Sequence, residues 1–169
     1  MSKSSNIAKG GLFTGLSIIF IYLSSIIPTN KIALLAAASF VIPISILAIG
    51  IKMAFVEYLA VSILGFFLIP SKGIALSYIL FFGLYGFVKL YTEKIRKAPL
   101  EILIKLLFFN TIVAISAFLY TQLFAEMIDF ERFRNALVPT ILIFEVAFIA
   151  YDYLVTLLIQ YYLKLKIKN

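Results

Sequence analysis

The sequence predicts an all-α fold: a polytopic membrane protein built as a six-transmembrane-helix bundle, N-in and C-in. Three observations carry this expectation. The 169 residues are 63% hydrophobic and only 14% charged, against about 45–50% and about 25% for a soluble domain, and their mean hydropathy of +1.09 exceeds what one soluble core could bury. The apolar residues fall into six runs, each of about the 20 residues that cross a bilayer, separated by helix-breaking clusters. Within each run the apolarity is near-uniform, unlike the alternating strands of about ten residues in a membrane barrel. A single integral membrane domain covering residues 1–169 follows.

The first span, 11–27, stops at Pro28-Thr29-Asn30-Lys31. The second, 32–50, contains Pro43, whose missing N–H should kink the helix or mark a broken turn. Gly50-Ile51-Lys52 allows only a tight turn before the third, 53–69. A helical hairpin that turns back without crossing is therefore an alternative for this pair. Pro70-Ser71-Lys72-Gly73 leads into the fourth span, 74–90. The basic segment 89–97 precedes the fifth, 100–124, and the polar stretch 126–135 precedes the sixth, 136–163.

Orientation follows from the basic residues. With the N-terminus cytoplasmic, eleven of the 15 lie inside: Lys3, Lys9, Lys52, Lys89, Lys94, Arg96, Lys97, Lys105, Lys164, Lys166 and Lys168. Lys31, Lys72, Arg132 and Arg134 lie outside. The positive-inside rule then places both termini in the cytoplasm and the chain in the cell membrane. The net charge of +7 reads as topology and contact with anionic lipid, not as nucleic-acid affinity. The first span reads as retained, because its apolar run exceeds the roughly 7–15 residues of a signal peptide and Leu23-Ser24-Ser25 is a poor cleavage context.

The chain has no Cys and no His, which excludes a disulfide framework, a thiolate nucleophile, imidazole-held zinc or haem, and Ser-His-Asp chemistry. No cofactor or metal is expected, and no Walker sequence is present. Three carboxylates lie well inside predicted spans, where a charge is costly by about 2.5–3.5 kcal/mol on insertion scales: Glu57, Glu145 and Asp152. Glu145 and Asp152, seven residues apart, share a helical face that should look into the bundle. Asp152, Glu57, Lys89 and Lys105 all approach the cytoplasmic level. Ion pairing with these lysines is the structural reading of Glu57 and Asp152; a relay is the functional one. Glu145, near the midplane and without a basic neighbour in sequence, is a candidate substrate or proton group. Asn110 offers amide donors and an acceptor, for an interhelical hydrogen bond or a ligand edge. Tyr120, Gln122, Phe130 and Phe133 are candidates for a ligand rim or for interface anchors.

Gly11 and Gly15 in the first span form a small-xxx-small pair, with Gly10 and Thr14 adjacent; such spacing lets helices approach to backbone contact. On this motif, the early Ile27-Pro28 and the six-span N-in topology, the chain resembles the substrate-binding S components of energy-coupling factor (ECF) transporters. Those proteins commonly carry Ala-xxx-Ala on the first helix, where it packs on the T component. The resemblance implies an importer subunit for a small organic molecule such as a vitamin or precursor, partnered by a T subunit and two ATPase subunits. Gly11 and Gly15 would form the partner-helix interface. The chain lacks the N-terminal His of metal-specific relatives and the Trp that many vitamin-specific ones use. The family's ligand contacts have no matching motif here.

The competing reading is a non-transporting six-helix scaffold, similar to small proteins of the bacterial rod-shape and cell-envelope systems. The scarcity of intramembrane polar groups favours it. An enzyme is not expected, because the carboxylates lack a paired active-site spacing or a metal-ligand cluster. A free-standing secondary transporter is disfavoured because no inverted repeat is evident between the halves.

Overall fold

The computed structural model describes the backbone of residues 3–124 and 130–168, with side chains for 4–119 and 141–165. The described residues form helices and no strands. Six helices are long and apolar enough to cross a membrane: α1 (Lys3–Ile26), α2 (Lys31–Ile49), α3 (Ile51–Leu68), α4 (Lys72–Glu93), α5 (Ala98–Phe124) and α6 (Phe130–Lys168). Because most side chains are apolar all round, every helix leaves large apolar residues at the surface, among them Leu12, Phe67, Leu107 and Val146. That pattern matches helices whose outer faces meet hydrocarbon.

Local breakers set the helix ends. Gly50 alone links α2 to α3, with φ +89°, a backbone that side-chain-bearing residues rarely adopt. The two helices either side are 19 and 18 residues long, so each has spanning length. Pro43 does not break α2, which runs unbroken from Lys31 to Ile49. Its ring packs against Gly86 of α4, where an added Cβ would lie 2.9 Å from Ile42 Cγ2 and 3.0 Å from Pro43 Cδ. Gly83, one turn earlier, lies as tightly against Tyr58 and Tyr78. These two glycines bring α4 onto α2 and α3. Between them and the start of α4, residues Tyr78–Phe82 form a π-type turn, and the Tyr58 hydroxyl donates to the Ile79 carbonyl within it at 2.9 Å.

α2 is the central helix and packs against α1, α3, α4 and α6. One buried cluster, including Ile21, Ile42, Val61 and Tyr78, joins α1 to α4. A second is aromatic and ties α4 to α5 and α6. Phe81 stacks or tilts against Tyr85, Phe108 and Tyr151, and Phe109 stacks on Phe148 with ring centroids 4.6 Å apart. α5 and α6 otherwise bury little of their surface. The molecule is thus a tight four-helix group with two helices held to it by rings and charges.

Candidate functional site

Among the described residues, polar side chains inside the bundle collect around a charged group or carboxylate in three places; a further, partly buried contact joins Ser39 of α2 to Tyr151 of α6 at 2.6 Å. The largest joins α4, α5 and α6 at the end that carries the α4–α5 link. Lys89 and Lys105 are 1% and 4% exposed and converge on Asp152. Lys105 Nζ donates to Asp152 Oδ1 and Oδ2 at 3.1 and 3.0 Å. Lys89 Nζ donates to Asp152 Oδ1 and to Thr156 Oγ1 at 2.7 Å. The Tyr85 hydroxyl donates to the same carboxylate. Toward the helix ends, Glu93 pairs with Lys89 at 2.7 Å and Glu101 with Lys105 at 2.7 Å. Both ammonium groups are fully satisfied, as burial requires. This chemistry fastens three helices and leaves no donor free for a ligand.

An aromatic layer of Tyr85, Phe109 and Phe148 adjoins this network, with Tyr85 belonging to both. On its far side Asn110 Nδ2 donates to Glu145 Oε1 at 3.3 Å and to the Leu106 carbonyl at 3.0 Å. Glu145 is half-buried and Asn110 exposed, so the pair that links α5 to α6 lies at the surface of the bundle. A carboxylate beside an amide at an exposed helix–helix contact can receive an ammonium group or another hydrogen-bond donor.

The third place is in the α1–α4 group. Glu57, 3% exposed, accepts a hydrogen bond from Ser45 of α2. No described lysine or arginine pairs with it; the ion pairs of the described residues all belong to the Lys89–Lys105 network. At the other surface of the group, an apolar groove of about 460 Å³ is lined by Ile51, Phe55, Leu84, Phe87 and Tyr91, with Lys52 beside it.

The structure therefore brings together Asn110 and Glu145, and Asp152 with Lys89 and Lys105, while Glu57 meets a serine and no lysine. Tyr120, Gln122, Phe130 and Phe133 lie outside the residues whose side chains are described. Gly11 and Gly15 face away from the bundle, with nothing within 4 Å of where a Cβ would stand, whereas Gly10 packs on Ile49. Sequence reasoning missed Glu93 and Glu101, although their four-residue spacing from Lys89 and Lys105 is a visible helix-pair signal. It also missed Ser45 and Tyr85, which no local pattern distinguishes from other residues in apolar runs. Among the described residues no cluster of carboxylates could hold a metal ion. No family model, curated protein or solved structure matches the chain.

Proposed function

We propose that the chain is a membrane-embedded substrate-binding subunit of an ECF-type importer for a small organic molecule, multi-pass in the cell membrane with both termini cytoplasmic. It works with a T subunit and two ATPase subunits and catalyses no reaction itself. The observation that carries this reading is the surface-accessible Asn110–Glu145 pair between α5 and α6. Asn110 is exposed and Glu145 half-buried, and neither takes part in the Lys89–Lys105 ion network. The bare faces of Gly11 and Gly15 support it further, since the bundle itself makes no use of them. The substrate carries an amino or other donor group that Glu145 accepts, and α1 docks the energy-coupling partner.

The test has two arms. A thermal-shift screen of vitamins and precursors in detergent should find a stabiliser whose effect is lost in Glu145→Ala. Co-expression with T and ATPase subunits should give a complex that Gly11→Leu/Gly15→Leu abolishes. No stabiliser and no complex would overturn the reading. The second reading is the six-helix scaffold, favoured by the internal pairing of Lys89, Lys105 and Asp152, which makes that end of the bundle purely structural. It predicts an envelope protein partner captured through the apolar outer faces, with no small-molecule dependence.

A further inference from the structure

We infer that Glu57, with the hydroxyls of Tyr78 and Ser17, forms a buried site for a monovalent cation, a proton or a sodium ion, inside the α1–α4 group. The inference starts from an incomplete set of bonds. Glu57 Oε2 takes its hydrogen bond from Ser45, but Glu57 Oε1 has no hydrogen-bond partner and no access to solvent. Nor does a described cation pair with it; Lys52, the basic residue nearest in sequence, is exposed. A bare carboxylate shut away from water and counter-charge is strongly unfavourable. Something positive must therefore accompany it in the folded bundle.

The groups facing Glu57 point to what that is. Ser45 comes from α2. Tyr78, 1% exposed, comes from the π-type turn of α4 and lies near both Glu57 and the fully buried Ser17 of α1. Neither the Tyr78 nor the Ser17 oxygen reaches hydrogen-bonding geometry with the other or with any described group. Tyr58, beside Glu57 on α3, spends its hydroxyl on the Ile79 carbonyl. The polar side chains that can be named beside Glu57 thus all offer hydroxyl oxygens. One carboxylate charge with hydroxyl oxygens suits a single hard positive charge, not a divalent ion, which needs more carboxylate ligands. π-type turns recur at functional sites because they aim side chains that a regular helix would not. The site is separate from the Asn110–Glu145 pair and stands whether or not the chain carries an organic substrate.

Thermal unfolding of the purified full chain in detergent tests it, followed by far-UV circular dichroism in two series, with wild type beside Glu57→Gln. In the first, sodium replaces choline at constant ionic strength. In the second, pH is raised from acidic to alkaline without sodium. A sodium site raises the wild-type Tm in sodium by about 2–4 °C or more, with no change in Glu57→Gln. A proton site makes the wild-type Tm fall as pH rises, because the folded state must give up its proton, while Glu57→Gln stays flat relative to it. The Lys89–Asp152–Lys105 network is common to both proteins, so its own titration cancels in the comparison. If Glu57→Gln does not fold, Tyr78→Phe and Ser17→Ala keep the carboxylate and should shrink the sodium shift or displace the pH midpoint. A wild-type Tm indifferent to sodium, with the same pH profile as the variants, overturns the inference.

Discussion

Asp152→Asn is the sharpest probe of how the bundle is held together. In the native chain the carboxylate takes bonds from Lys89, Lys105 and Tyr85, and both lysines are almost wholly buried. Removing one partner of a buried ion pair costs about 3–5 kcal/mol when the other charge is left alone. Here neither lysine is left alone: Lys89 keeps Glu93 and Lys105 keeps Glu101, each at 2.7 Å. Glu93, at 37% exposure against 24% for Asp152, sits nearer water, and each lysine keeps one carboxylate where it had two, so the loss is offset only in part. We therefore expect a destabilisation of about 2–4 kcal/mol. A second change, Lys89→Met, should recover part of it by removing the surplus buried cation, giving a coupling energy of about 1–3 kcal/mol in a double-mutant cycle. Unfolding in mixed detergent–SDS micelles, read by far-UV circular dichroism, measures both in a protein that lacks tryptophan and cysteine. A single variant within about 0.5 kcal/mol of wild type, or strictly additive effects, would refute the claim that these charges act as one buried unit.

Two further outcomes are expected. Gly86→Ala should destabilise by about 1–3 kcal/mol in the same assay, because its Cβ would press on Ile42 and Pro43. Gly11→Ala and Gly15→Ala meet nothing within 4 Å and should stay within about 0.5 kcal/mol of wild type; equal losses at all three positions would contradict the packing. With no native cysteine to replace, Ser71→Cys and Lys97→Cys can be labelled with an impermeant maleimide in sealed vesicles. The N-in topology requires that they react from opposite sides, Ser71→Cys from outside, and reaction of both from one side would overturn it.

Much of the helical plan was legible because it is written locally. Pro28, Gly50 and Pro70 interrupt runs that are otherwise long enough to span, and each lies between helices in the structure. Pro43 is the exception: the residue that breaks an isolated helix is accommodated here by a glycine on another helix. That compensation has no signature near Pro43. The polar residues show the same division. The i, i+4 spacings of Lys89 with Glu93 and of Glu101 with Lys105 can be read along the chain. Lys89 and Asp152, 63 positions apart, could be paired in sequence only by their common expected depth. That reading applied equally to Glu57, which meets a serine and no described lysine. The pairing of Asn110 with Glu145, 35 residues apart, was likewise invisible, although both residues stood out singly as polar groups in apolar runs.

By itself, then, the sequence determined how many helices form and roughly where each one ends, because hydropathy and helix breaking act over a few neighbouring residues. It also placed the buried carboxylates on their helices. Only the tertiary structure decided what each meets, because a partner depends on how helices rotate and pack against one another. Glu57 and Asp152 look alike as acids in apolar runs, yet one meets a serine hydroxyl and the other two lysines. Gly86 and Gly15 are both glycines in apolar helices, yet one is pressed against Pro43 and the other stands bare. Helix packing, which no short stretch of chain encodes, separates the contacts that hold this bundle together from the surfaces it leaves free.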